Sequence, residues 1–276
     1  MDSAVLVLSY GVVAFIVSDF VLARIGLRDT TTNERPGARP PWLVAHAGVV
    51  GLLLLPVALI FGLRGLAFAL TVAVAHLLID AVAVTMRART DADGPTDPLG
   101  WAPSRTTSLL LQIIGHAAVL AVAWWIWLAG ASESVAGWIA SFAGARDAAS
   151  ATQVLNGIAV MAALVLVNAF LGSRFVLSIV PPLTHAKDSG PAGVAPEADT
   201  VSAIVGVLER IIVAVLVVGH GEAAAALVLA AKELSRRQRV EADARFAEHY
   251  LIGTLASFGF AVVTGYVARV ALEAIT

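Results

Sequence analysis

Five side chains in the first half of the chain have the types and the spacing to hold a metal ion: Asp19, His46, His76, Asp80 and His116. Imidazole nitrogen and carboxylate oxygen are the donors that zinc and its first-row neighbours take, and a site with an open position activates water near neutral pH. His76 and Asp80 are four residues apart, so they share one face of a helix and can clamp one ion. His46 and His116 close the site, and Asp19 either ligates or takes a supporting proton role. Gln112, one turn before His116, lies on the same face but offers an amide, a poor ligand. The cofactor implied is a divalent transition metal, zinc first. A two-metal centre also fits, since carboxylate and histidine sets in helical bundles hold such pairs. Two other uses fit the same residues. Polar groups in membrane helices form interhelical hydrogen bonds worth ~0.6–2 kcal/mol each, and a series of them can relay protons or ions.

The elements that must position these groups are membrane helices. The chain has 276 residues, 59% hydrophobic and 14% charged, with no cysteine and a formal net charge of −2. Its mean hydropathy is +0.86. A soluble domain carries about 25% charged residues. The departure indicates a polytopic membrane protein and excludes a disordered chain, a disulfide-stapled secreted scaffold and a nucleic-acid binder with a basic surface. Sixteen arginines against two lysines reflect the coding bias of a GC-rich genome. Met1-Asp2-Ser3 has no positive side chain, so the first apolar stretch is expected to stay in the protein as a span.

A hydrocarbon core of ~30 Å needs about 20 apolar residues in a helix. Such stretches fall at 4–23, 42–63, 66–86, 106–128, 153–180, 200–219, 222–236 and 248–270. The fold class expected is therefore all-α: a membrane bundle of about eight transmembrane helices. With both termini outside, 13 basic residues fall in cytoplasmic loops and two, Arg64 and Arg146, in outer ones, the positive-inside signature. Trp42 and Trp101 then mark the inner interface, and Trp124, Trp125, Trp127 and Trp138 the outer one. This topology puts Asp19, His46, His76, Asp80, Gln112 and His116 in the cytoplasmic half of four consecutive helices. One shared depth lets them converge.

Three sections are expected: a four-helix half at 1–130 with the His/Asp cluster, an outer connection at 131–151, and a second membrane half at 152–276. Val135–Phe142 in the connection reads as a short interfacial helix. The second half carries Glu209-Arg210, Lys232, Asn156 and Asn168. Glu209 with Lys232 is the preferred bridge between the sixth and seventh helices, a structural intramembrane pair. Gly253-x-x-x-Ser257 and Gly259 read as a close packing face. His185 and His220 carry no chemistry. Pro56 and Pro181-Pro182 are the candidate helix breaks. There is no Walker loop, GxSxG, cysteine ligand set or dinucleotide fingerprint.

The segments VSDFVLAR at 17–24, WLVAH at 42–46, AHLLIDAV at 75–82 and LLQIIGH at 110–116, followed by GVLERIIV at 206–213, AAKELSR at 230–236 and EHYLIGTLAS at 248–257, carry a resemblance. The chain resembles a bacterial integral-membrane family known only as a domain of unknown function, whose helices bear paired His/Asp residues. The likeness covers nearly the whole chain. The family pattern has HxxxD in the first helix and DQxxH in the fourth; here Phe15 replaces the first histidine and Gln112 the aspartate. The resemblance thus implies the site's location, with a single-metal or a degenerate site in place of a full two-metal one, and no known reaction.

The function expected is that of a multi-pass protein of the bacterial cytoplasmic (inner) membrane that binds metal within the bilayer. It would be a metal-dependent hydrolase of a lipid-linked or membrane-surface substrate at the cytoplasmic leaflet. The alternatives are a transporter or ion relay, and a structural subunit without activity. The expected partners are the lipid bilayer and that substrate, with no nucleic acid; the sequence does not set an oligomeric state.

Overall fold

The computed structural model describes residues 2–21, 41–93, 105–131, 137–138, 141, 148–180, 195–242 and 244–275. Arg24, Arg28, Arg35, Arg39, Trp101, Arg146, His185, Lys187 and the Pro181-Pro182 pair lie outside them, as does most of the 135–142 stretch. Among the described residues every regular element is a helix. These are α1 (Asp2–Ile16), ending in a π-helical turn at Val17–Val21, α2 (Pro41–Leu53), α3 (Leu55–Asp93), α4 (Arg105–Trp127), α5 (Ala148–Leu166), a second π-helical turn at Val167–Leu171, α6 (Gly172–Ile179), α7 (Ala195–Val218), α8 (Glu222–Ala242) and α9 (Ala244–Glu273). They form two compact units, residues 1–163 with 274–276, and residues 164–273.

Four stretches are long and apolar enough to cross a membrane: Leu55–Thr85, Thr106–Trp127, Ser150–Ile179 and Phe246–Glu273. Ala4–Asp19 and Leu43–Leu53 are shorter apolar helices. α8 is not of this kind, because Lys232, Glu233, Arg236, Arg237 and Glu241 occupy its second half.

In the first unit, glycine and proline set the path. Gly62 sits at φ 59°, ψ −134°, a region open only to a residue without Cβ. The chain reverses there so tightly that a Cβ on Gly65 would lie 2.2 Å from the Val57 carbonyl oxygen. α3 is thus two arms, 55–61 and 65–93, and the long arm packs back on α2, with Ala73 beside Gly51. Pro56 has no N–H and interrupts the ladder where α2 meets α3. The Val57 amide turns to the Leu54 carbonyl at 3.0 Å, and the Leu53 carbonyl accepts the Tyr10 hydroxyl from α1 at 2.6 Å. The core around this joint is apolar: Val7, Phe15, Val50, Leu54, Phe68, Val72 and Leu120 are buried.

The long arm of α3 has its polarity inverted relative to a helix in water. Leu66, Leu70, Val74, Leu78 and Val82, at four-residue spacing, are exposed, while Phe68, Val72, His76 and Asp80 are buried. Exposed apolar stripes of this length suit lipid, and ionisable groups in lipid turn toward the bundle interior.

The second unit is built on α7 against α9. A Cβ on Gly265 would lie 2.7 Å from the Ala214 carbonyl oxygen, so the two backbones touch there. The close-approach glycines are Gly265 and Gly172. Gly259, expected in a packing face, has open space around it, and Gly253 reaches only Val180, at 3.9 Å from its would-be Cβ. The α7–α8 turn places His220 at φ 57°. His220 Nδ1 and the Val217 carbonyl lie at 3.1 and 3.3 Å from Arg269 Nη1, which also donates to Glu222. His220 therefore belongs to a cap on the turn.

Candidate metal centre

Four helices of the first unit each bring part of the His/Asp cluster. Asp19 comes from the π-helical turn that ends α1, where the wider turn changes the direction of the side chains, and such turns favour functional sites. His46 comes from α2, His76 and Asp80 from the long arm of α3, and His116 from α4. One donor atom from each of Asp19, His46, His76 and Asp80 lies within 4.8 Å of all the others. His46 Nε2 is 2.8 Å from Asp19 Oδ1 and 3.6 Å from Asp80 Oδ2. His76 Nε2 is 3.4 Å from Asp80 Oδ2 and 3.9 Å from Asp19 Oδ1. His116 Nε2 is 4.0 Å from Asp80 Oδ1.

Two of these five distances match what a metal requires, and His116 lies outside the group of four whose donors are within 4.8 Å of one another. Donors around a tetrahedral zinc bonded at 2.0–2.2 Å lie about 3.3–3.6 Å apart. Asp80 meets that spacing to both His76 and His46. The His46–Asp19 separation is that of a hydrogen bond, and an ion bound there would displace the shared proton, as metal binding to protonated ligands does. His116 is the ring whose state is best defined. Its Nδ1 lies 2.7 Å from the Gln112 carbonyl, an acceptor only, so Nδ1 carries a proton and, in the neutral ring, Nε2 holds the lone pair. That Nε2 is buried and makes no hydrogen bond. A metal-binding histidine characteristically donates its second nitrogen to a carbonyl in this way. Gln112 serves here through its backbone oxygen.

Phe15 walls one side. Its ring stacks on His76 with centroids 5.1 Å apart and interplanar angle 16°, and meets His116 edge-on at 5.1 Å. Asp19 is the more open member of the cluster: its side chain is 24% exposed, against 0% for His76. An ion held there would meet the aromatic face of Phe15 and the more exposed carboxylate of Asp19.

In the second unit Lys232 forms an ion pair with Glu209, α8 to α7. Arg210, the next residue, is buried in a separate network. Its Nε donates to the Asn168 carbonyl at 3.0 Å, Nη1 to Ser257 at 3.3 Å and Nη2 to Ser173 at 2.6 Å. Asn168 lies in the second π-helical turn, and its own amide donates to the Leu164 carbonyl and to Thr264. Asn156 in the first unit is buried and its side chain makes no hydrogen bond among the described residues. Sequence reasoning missed Ser173 and Ser257 as partners of Arg210, and Phe15 as a wall. The available signal was Arg210 itself, an arginine in an apolar helix that must find acceptors. No family model, no curated protein and no solved structure matches this chain.

Proposed function

We propose that this chain is a multi-pass protein of a bacterial cytoplasmic membrane that holds one divalent transition metal, zinc first, inside its N-terminal bundle. About eight helices cross, both termini lie outside, and the site lies in the cytoplasmic half of the bilayer. The observation that carries the reading is His116. Its Nδ1–H is committed to a backbone carbonyl, and its Nε2, buried and without a hydrogen bond, lies 4.0 Å from Asp80 beside the group of two more imidazoles and two carboxylates. His76, Asp80 and His46 would ligate with His116, and Asp19 would bind or take the proton that the ion displaces. The resemblance to a membrane family with paired His/Asp helices supports the same location. When bound, the ion supplies Lewis acidity at a site shielded from water on the Phe15 side. The more open Asp19 side supports hydrolysis of a lipid-linked or membrane-surface substrate entering there.

Metal analysis of the purified full-length protein in mild detergent tests the binding. About one zinc per chain is expected, retained in Gln112→Ala and reduced at least tenfold in His76→Ala, Asp80→Ala and His116→Ala. A wild-type protein that holds no ion after loading with zinc, cobalt or manganese overturns the proposal. The cluster is then an interhelical hydrogen-bond network with His46–Asp19 at its centre.

A further inference from the structure

We infer that Tyr10 is a positioning residue for the metal cluster: its hydroxyl, bonded to the backbone of α2, sets the register at which α1 delivers Asp19 to His46. This role rests on the metal reading of the cluster and adds to it what holds the donor that comes from α1. Two polar contacts tie α1 to α2. In the body of α1 the Tyr10 hydroxyl donates to the Leu53 carbonyl at 2.6 Å. At its end Asp19 Oδ1 lies 2.8 Å from His46 Nε2. From the first contact to the second the chain runs forward along α1 and backward along α2, so the two helices are antiparallel. At a rise of about 1.5 Å per residue, the nine residues from Tyr10 to Asp19 and the seven from His46 to Leu53 place the contacts about 10–13 Å apart.

Local chemistry makes the Leu53 carbonyl available. In an unbroken helix it would accept from the Val57 amide. Pro56 interrupts the ladder, the Val57 amide turns to the Leu54 carbonyl at 3.0 Å, and Leu53 is left to the tyrosine. A backbone carbonyl without a donor is costly in a bundle surrounded by lipid, so this contact favours one register. Sliding α1 by one residue would carry the hydroxyl about 1.5 Å along the axis and about 100° around it, away from its acceptor. The neighbouring residue sets distance but not register. A Cβ on Gly11 would lie 2.6 Å from Leu120 Cδ2 on α4, one turn beyond His116, so α1 sits close there through apolar, non-directional packing. The directional bond is the one from Tyr10, and the donor it serves lies in the π-helical turn that ends the same helix.

The test compares full-length wild type, Tyr10→Phe and Thr71→Val in one mild detergent. Thr71→Val removes a different interhelical bond of the same unit, the one from the Trp127 indole at 3.1 Å. In the metal-free proteins the nitrogen NMR resonance of the His46 ring, assigned by its loss in His46→Gln, reports the Asp19 contact. It should move in Tyr10→Phe and stay in Thr71→Val. Competition against a chelator should show zinc held about tenfold more weakly in Tyr10→Phe and unchanged in Thr71→Val. The visible spectrum of the cobalt-loaded protein should change in Tyr10→Phe alone, as the ligand set loosens at Asp19. A Tyr10→Phe protein that matches wild type in the His46 resonance and in zinc affinity overturns the assignment. So does a Thr71→Val protein that loses as much zinc affinity, because any lost interhelical bond would then act alike. A wild type that takes up no ion overturns the metal reading instead, and the His46 resonance then decides by itself whether Tyr10 sets the Asp19 contact.

Discussion

At the scale of single residues, the cluster is defined as much by Phe15 as by its ligands. The ring occupies the position one turn before Asp19, and in the folded chain that position faces His76 and His116 at ligand-like range. A phenyl ring there offers no sixth donor and holds both imidazoles by stacking and edge contacts, each worth about 0.5–1.5 kcal/mol. Replacing it with a donor has a calculable direction. In Phe15→His the new imidazole lies beside two existing ones, so zinc should be held about tenfold more tightly, ~1.4 kcal/mol. Competition against a chelator of known affinity reads the change. Unchanged or weaker retention in Phe15→His would show that the wall works by packing alone.

At the scale of elements, the two π-helical turns each present a polar group to a buried network. One presents Asp19 to the cluster, and the other leaves the Asn168 carbonyl available to Arg210. The glycines divide by a similar logic. Gly265 is required because α7 and α9 touch there, and Gly259, six residues earlier on the same helix, is not. Gly265→Ala should force the backbones apart and cost about 1–3 kcal/mol, the range for overpacking. Gly259→Ala should be neutral or slightly stabilising, because alanine is the better helix former. Thermal unfolding of the two variants in one detergent checks the contrast. Equal midpoints would sink the assignment of Gly265 to a backbone contact.

At the scale of the whole molecule, inverted polarity is the governing fact. Leucine and valine stripes face outward, and His76, Asp80, Arg210 and Asn168 face inward. Lipid is the solvent in which that arrangement is stable. The proposed topology, with both termini outside, rests on the distribution of 13 basic residues against two. A C-terminal reporter active only in the cytoplasm should be silent. Strong cytoplasmic activity would make the number of crossings odd, and α8, the most charged of the helices proposed to cross, would be the one that does not span.

The sequence by itself determined the class of the fold and the address of the cluster. Apolar runs of span length permit only helices in lipid, and a four-residue spacing forces His76 and Asp80 onto one face whatever the rest of the chain does. It also marked Glu209 and Lys232 as partners, because charges in apolar helices at one depth seek each other. What it left open were the features that depend on how helices meet. The break between the apolar runs 42–63 and 66–86 already puts a turn near Arg64, and the chain reverses beside it, at Gly62; how closely the two arms meet, with Gly65 against the Val57 carbonyl, was not legible. The π-helical turns have no periodic signature, so the local backbone that presents Asp19 and Asn168 was not legible. The tautomer of His116, the stacking of Phe15 and the neutral partners of Arg210 all arise from atoms far apart in the chain. Only the tertiary structure decides which of them come within hydrogen-bond range, because packing, not local propensity, sets those distances.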